Sequence, residues 1–256
     1  MCSYKPALFL ESSIRQLSLF LFGIEKKIFK WDLLLYGDVT NDMYSIVATQ
    51  PGDIGVLQKQ EFQLPEILPN QVLIKNQSIG VNFIDIYFRK GLYPWPQENN
   101  LVLGSEGAGT IEAVGADVVN LRIGDRVAYA QPNNAYSTHR ILDANLVVRI
   151  PDAISFDQAA AAMLKGLTVR YLLKDSFDVK PHHTILFHAA AGGVGLIAGQ
   201  WMRVIGAKAI GTAGNDDKCN LANNHGYEET INYSNENFLD RVQEITNQLG
   251  VDVVYD

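Results

Sequence analysis

Cysteine is almost absent: Cys2 and Cys219 are the two in 256 residues. That excludes a disulfide framework and fits a reducing cytosol. No uninterrupted apolar run reaches the roughly 18 residues that a transmembrane helix needs, so no membrane span is expected. The apolar stretch 17–24 is short, follows Glu11 and Arg15, and lacks the basic start and small-residue cleavage site of a secretion signal. Positive charge is in deficit, with 21 Lys and Arg against 28 Asp and Glu and a net charge of −7. A phosphate-neutralising surface is therefore not expected, and nucleic acid is a poor partner. What remains is an ordinary globular composition, 47% hydrophobic and 19% charged, in a chain long enough for one large domain or two modest ones. The expected location is cytoplasmic.

Residues 1–42 mix apolar runs with Lys26-Lys27 and sustain no period. Met43 then opens a strand-like segment, Tyr44-Ser-Ile-Val-Ala-Thr49. The expectation is that Met43 is the native start and residues 1–42 an upstream extension; a loosely packed N-terminal arm is the alternative. From Met43 to Arg149, short strands at 56–62, 71–81, 109–114, 126–130 and 142–150 alternate with Gly, Pro and Asn turns. One helix, 83–90, interrupts them and ends at Gly91. Strands without βαβ alternation predict a barrel-like or partly closed lobe.

Pro151 marks a change of pattern. Ser155 and Gln158 stand three apart, a capping box before a helix over 159–173. After Pro181, strands at 184–189, 209–213, 230–233 and 251–255 alternate with helices at 194–205, 217–225 and 236–249. Gly206, Gly226 and Gly250 follow the helices as stops. The alternation calls for an α/β fold with a parallel sheet and helices on both faces. A doubly wound sheet of order 3-2-1-4-5-6 would lack its last two strands here, so the chain reads as C-terminally incomplete. The 256-residue polypeptide alone is expected to be unstable or inactive, and a longer parent to be an enzyme.

The stretch Thr184-Ile-Leu-Phe-His-Ala-Ala-Ala-Gly-Gly-Val-Gly195 organises this half. A β-branched strand enters a turn of small residues, and an amphipathic helix leaves it. Ala190, Gly192 and Gly195 occupy the spacing of G-x-G-x-x-G, with alanine in the first place. Small residues let the turn close, the backbone approach a pyrophosphate, and the helix lie near the strand. The helix N-terminus then offers N–H groups and its positive dipole end to phosphate. The strand before it and the βα alternation after it turn a weak motif into a dinucleotide site.

Several segments together resemble a known family: His188-Ala-Ala-Ala-Gly-Gly-Val-Gly195, Gly80-Val-Asn-Phe-Ile-Asp-Ile-Tyr87, Arg89-Lys-Gly-Leu-Tyr93, Leu103-Gly-Ser-Glu-Gly-Ala-Gly109, Gly124-Asp-Arg-Val127 and Met163-Leu-Lys-Gly-Leu-Thr168. From Met43 to Asp256 the chain is similar to the zeta-crystallin-like NAD(P)H:quinone oxidoreductases, the zinc-free branch of the medium-chain dehydrogenase/reductase superfamily. The resemblance implies a GroES-like β-rich catalytic lobe at 43–165 and a Rossmann lobe at 166–256, truncated after its fourth strand, with cofactor and substrate in a cleft between them. It implies that Phe83, Ile84, Asp85, Ile86 and Tyr87 line the nicotinamide end, that Asn82 and Asp85 shape that pocket, and that Tyr87 and Tyr93 face the quinone. Tyr171, Gly192, Gly193, Val194, Gly195, Gly214, Asn215, Lys218 and Tyr233 fall at positions that hold the rest of the cofactor. Any one of these aromatics, read alone, is more often a buried or half-buried packing residue. Lys165 and Thr168 read as pocket-rim or cofactor contacts and equally as packing residues, and Glu106 and Asp85, candidate proton donors near the site, read first as structural hydrogen-bonding groups. The family also implies that a full-length parent is a homodimer.

NADPH is expected rather than NADH. An NAD enzyme places Asp or Glu at the end of the second strand, whereas this strand ends Thr212-Ala213-Gly214. Lys218 then matches the family lysine that meets the 2′-phosphate, although Asp216 and Asp217 stand close by. No metal is expected. Where zinc-dependent relatives carry a catalytic cysteine and Gly-His-Glu, this chain reads Gly104-Ser105-Glu106, and two distant cysteines cannot form a ligand set. The chemistry therefore falls to the cofactor, with a quinone as hydride acceptor. An enone or alkenal reductase is the alternative on the same scaffold, and a non-enzymatic NADPH- and RNA-binding protein the alternative from another class. The Lys218 assignment predicts that Lys218→Ala weakens NADPH binding and leaves NADH binding unchanged. Equal NADPH affinity in wild type and variant, by titration, refutes it.

Overall fold

The computed structural model describes residues 43–256 apart from residue 97; the expectations for residues 1–42 lie outside the described residues. The chain forms two compact units, and the division falls between Leu164 and Lys165.

In the first unit, β1 (Tyr44–Ala48), β2 (Leu57–Glu61) and β4 (Leu101–Val102) make a three-stranded antiparallel sheet in the order β2-β1-β4. A second sheet takes β3 (Gln71–Gly80), β5 (Glu106–Val114), β6 (Arg126–Ala130), β7 (His139–Asp143) and β8 (Val147–Arg149) in the order β7-β3-β5-β6-β8. Helix α1 (Phe83–Arg89) follows β3 directly. The inward positions of the larger sheet close on Val72, Ile74, Ile111, Val127, Tyr129, Leu142 and Val147, all buried.

One strand expected over residues 142–150 is two. The Asp143 carboxylate accepts the Asn145 N–H at 2.9 Å and the Asn70 side-chain amide at 2.7 Å, and a 3-10 turn over Ala144–Leu146 separates β7 from β8. This break shapes the lobe. β7 and β8 lie at opposite edges of a five-stranded sheet. Edges of a flat sheet that wide stand about 19 Å apart at ~4.8 Å per strand, while four residues reach at most ~14 Å. The sheet must curl, which makes the partly closed barrel. The β3–β5 register shifts beside Asn76, and Gly109 lies against the β3 backbone. A Cβ on Gly109 would overlap the Lys75 carbonyl oxygen.

Helix α2 (Phe156–Arg170) begins at the expected capping box. Ser155 N–H donates to Gln158 Oε1 at 2.9 Å, and Gln158 N–H donates to Ser155 Oγ at 3.1 Å. It starts three residues earlier than expected, and its last turn widens into a π-helix over Tyr171–Ser176.

The second unit alternates β9 (Thr184–Phe187), α3 (Gly193–Ile205), β10 (Lys208–Ala213), α4 (Asp216–Asn224), β11 (Glu229–Asn232), α5 (Phe238–Ile245) and β12 (Val253–Tyr255). All pairings are parallel in the order β11-β10-β9-β12, the 3-2-1-4 half of a doubly wound sheet. Leu186, Ile210, Ile231 and Val242 form its core. Helix α3 ends at Gly206 with φ 84°, as its glycine stop predicts. Helix α5 is shorter than the expected 236–249. Asn237 caps its start by accepting from Leu239 N–H, and Asn247 and Gln248 turn left-handed after it. Among the described residues no helix is long and apolar enough to cross a membrane.

Two substitutions test this packing. Gly109→Ala should cost at least about 2 kcal/mol, because backbone atoms must move to admit the methyl group. Arg140 is buried over the Tyr129 ring at 4.5 Å, and its Nε and Nη1 have no partner among the described residues. Desolvation without a paired anion is costly, so Arg140→Met should leave the thermal midpoint unchanged or raise it. Denaturation of both variants against wild type measures each effect.

Candidate functional site

In the first unit the residues expected at the site divide between the two sides of α1. Asn82 is the N-cap, and its N–H donates to Asp85 Oδ2 at 2.9 Å. Asp85 is buried and also accepts from Tyr136 Oη at 3.0 Å and Ser105 Oγ at 3.1 Å. Burial, more than any other cause, pushes its carboxyl above the ordinary range, and the nearby Glu106 adds to this. Burial and the Asp85 charge likewise push the Tyr136 phenol up. The Asn82 side-chain amide donates to Glu106 Oε1 at 2.8 Å, and Glu106 Oε2 accepts the Leu164 N–H of α2 at 2.7 Å. Glu106 is fully buried, and Gly80 leaves it room, since a Cβ there would overlap its side chain.

The opposite side of α1 is aromatic and exposed. Phe83, Ile86, Tyr87 and Tyr93 all stand open to solvent, while Ile84 is half-buried. The Tyr87 and Tyr93 rings meet edge-on at 5.7 Å, and Tyr93 meets Phe88 at 5.5 Å. The Leu92 N–H donates to the Tyr87 carbonyl at 2.9 Å, and Trp95 Nε1 to the Phe88 carbonyl at 2.6 Å. These bonds hold the loop after α1 against the helix. Tyr87, Tyr93 and Phe83 are thus presented together, and Asp85 and Asn82 hold the helix from beneath.

In the second unit the small-residue turn explains its own sequence. Ala189 sits at φ 52°, and Gly192 is the N-cap of α3 with no side-chain cap. Gly192 and Gly193 are exposed, so the first N–H groups of α3 are accessible. Gly195 is buried, and a Cβ there would lie 2.5 Å from the Ala190 carbonyl and 2.6 Å from that of Ala189. Alanine in the first motif place is accommodated across the sheet. Its Cβ lies 2.6 Å from where a Cβ of Gly211 on β10 would be.

At the end of β10, Asn215 caps α4 by accepting the Lys218 N–H at 2.9 Å. Gly214 leaves space for Tyr233, whose hydroxyl lies 2.9 Å from the missing Cβ. Ser234 Oγ donates to the Gly214 carbonyl at 2.8 Å. Gly214, Asn215, Lys218 and Tyr233 therefore gather at the C-terminal ends of neighbouring strands, and Lys218 is exposed. Asp216, an acid beside them, accepts the Asn232 amide at 2.7 Å. Val194 is half-buried in the first turn of α3, and Tyr171 is exposed at the start of the π-turn.

Residues 68–152 match the family described as alcohol dehydrogenase GroES-like domain, and residues 193–256 the family described as zinc-binding dehydrogenase. The quinone oxidoreductase of Pseudomonas aeruginosa is 50% identical over 202 residues, 78% of this chain and 62% of that protein. The solved quinone oxidoreductase of Coxiella burnetii is 30% identical with a TM-score of 0.75, covering 84% of this chain and 68% of that one. The chain belongs to the quinone oxidoreductase family. It lies within the medium-chain dehydrogenase/reductase superfamily. The family's Escherichia coli member, solved in complex with NADPH, has a TM-score of 0.78 and 45% identity over 83% of this chain and 65% of that one. A 2-haloacrylate reductase of Burkholderia sp is 43% identical over 194 residues, 73% of this chain and 58% of that protein. The chain spans 62% of the length of the first of these relatives.

For this member of the family, Tyr136 and Ser105 are the residues that sequence reasoning missed. Tyr136 lies 51 positions from Asp85, so no local spacing pairs them. Among the described residues no cluster of three or more His, Cys, Asp or Glu could hold a metal ion. Ser105 is committed to Asp85 and Glu106 to Asn82 and Leu164.

The buried carboxyl predicts a pH dependence. The folded chain holds the Asp85 proton to higher pH than the unfolded chain does. The resulting stabilisation is full below the unfolded carboxylate range and is lost as pH rises through the folded value. Relative to Asp85→Asn, wild-type stability should therefore fall with rising pH across that window and then level off. Wild-type stability that instead rises with pH relative to Asp85→Asn, by urea unfolding, would contradict the burial argument.

Proposed function

We propose that the protein is an NADPH-dependent quinone reductase that works without a metal. The observation that carries the reading is the open glycine turn at α3 together with Gly214, Asn215, Lys218 and Tyr233 at the ends of β10 and β11. These residues fit a dinucleotide phosphate. Gly192 and Gly193 leave the α3 N–H groups bare, Gly195 lets helix and strand approach, and Lys218 offers a cation where a 2′-phosphate would need one. Asp216, turned to Asn232, opposes that charge less than its position in the sequence suggests. The NADPH complex of the Escherichia coli relative supports the same cofactor.

When bound, the nicotinamide supplies a hydride. The protein's part is orientation. Phe83, Ile86, Tyr87 and Tyr93 offer exposed apolar surface suited to a planar ring, and the Tyr87 and Tyr93 rings brace each other in a T-shaped contact. The Asp85 and Glu106 carboxylates, engaged beneath α1, keep that face in place rather than move protons. A conjugated enone is the second reading, favoured by the 2-haloacrylate reductase among the relatives.

Steady-state NADPH oxidation by the full-length protein separates the two, with benzoquinone and naphthoquinone against a 2-alkenal. Quinone turnover should dominate and survive exhaustive chelation. Tyr87→Ala and Tyr93→Ala should raise the quinone KM several-fold with NADPH affinity unchanged. Turnover confined to the alkenal selects the second reading, and activity abolished by chelation and restored by zinc refutes the metal-free one.

A further inference from the structure

We infer that Asn232 is a positioning residue for cofactor choice, which favours NADPH by holding the Asp216 carboxylate away from the 2′-phosphate; the inference rests on the cofactor reading above. Asn232 is the last residue of β11 and is buried, 6% exposed. Both ends of its side-chain amide are engaged. Nδ2 donates to Asp216 Oδ1 at 2.7 Å, and Oδ1 accepts the Ser234 N–H at 3.1 Å. Its backbone is fixed as well. The N–H donates to Glu236 Oε1 at 3.0 Å, the carbonyl accepts the Glu236 N–H at 2.9 Å, and the residue pairs with Ala213 at the end of β10. An amide held this firmly sets the direction of the exposed carboxylate that it grips.

The charge under restraint is what makes the grip informative. Asp216 is the first residue of α4, next to the Asn215 cap and two residues before Lys218. An acidic side chain suits a helix start, but it repels any phosphate dianion brought to the same place. First-turn side chains lean toward the helix N-terminus. An untied Asp216 would therefore swing its carboxylate over the Gly214–Asn215 turn, beside the cation that a 2′-phosphate needs. Tied to Asn232, the carboxylate turns to β11 instead, and Lys218 stays exposed. NADH lacks the 2′-phosphate, so the direction of Asp216 matters little to it. The tie bears on the choice between nucleotides rather than on nucleotide binding as such.

Titrations of NADPH and of NADH into the full chain at low ionic strength, followed by nucleotide fluorescence, compare wild type with Asn232→Ala, Asp216→Asn and the double variant. Asn232→Ala should weaken NADPH by about fivefold, the upper end for an exposed charge pair, and leave NADH unchanged. Asp216→Asn alone should change little. In the double variant it should restore NADPH binding, because the freed side chain no longer carries a charge. Added salt should shrink the loss caused by Asn232→Ala. Far-ultraviolet circular dichroism checks that each variant folds. Asn232→Ser, whose hydroxyl can still accept the Ser234 N–H but falls short of Asp216, serves if Asn232→Ala does not fold. A folded variant that loses both nucleotides alike overturns the inference and leaves the dinucleotide reading intact. So does an NADPH loss that Asp216→Asn fails to rescue, or no loss at all. A wild-type chain that binds neither nucleotide overturns both readings.

Discussion

Helix α3 lies so close to the strand before it that a single methyl group at Gly195 would press on two backbone carbonyls. Much of the second unit depends on that approach. It brings the α3 N-terminus to the end of β9, where the N–H groups face outward rather than being spent on a side-chain cap. The same closeness explains neighbouring residues that look arbitrary in sequence. Ala190 fills the space that Gly211 leaves on β10, and the buried Tyr227 hydroxyl donates to the Gly195 carbonyl at 2.9 Å. Close packing of this kind tolerates few changes in volume, so the small residues act as a set.

The first unit solves a different problem, which is to hold a seven-residue helix with an apolar outer face. So short a helix is marginal by itself. Here its N-terminus is tied by Asn82 and Asp85, and those residues are tied in turn to Ser105, Tyr136 and Glu106. Two buried carboxylates would be costly if left unmatched. Asp85 accepts three hydrogen bonds, and Glu106 links the N-cap residue to the α2 backbone. With the polar work done beneath, the outer face can carry Phe83, Tyr87 and Tyr93.

Features set by neighbours in sequence were legible without coordinates. The Ser155–Gln158 box, the Gly206 stop, the strand–turn–helix at residues 184–205 and the α/β alternation all follow from residues within one or two turns of each other. Boundaries were less legible. The run at residues 142–150 is apolar enough for one strand, but Asp143 bonds to its own chain two residues on and starts a turn. Strand β4 has two residues, and only its pairing with β1 makes it a strand.

By itself the sequence determined a two-part α/β protein whose second part carries a dinucleotide turn, because small residues at that spacing leave the backbone few alternatives. It also determined which aromatics were candidates for a site. Only the tertiary structure decided which way each one points. Asp85 turns inward because Tyr136 and Ser105, distant in sequence, arrive to satisfy it. Tyr87 and Tyr93 turn outward because the chain after α1 folds back onto the helix. The barrel curls because three residues join opposite sheet edges. Such pairings join groups far apart in the chain, and no local periodicity encodes them.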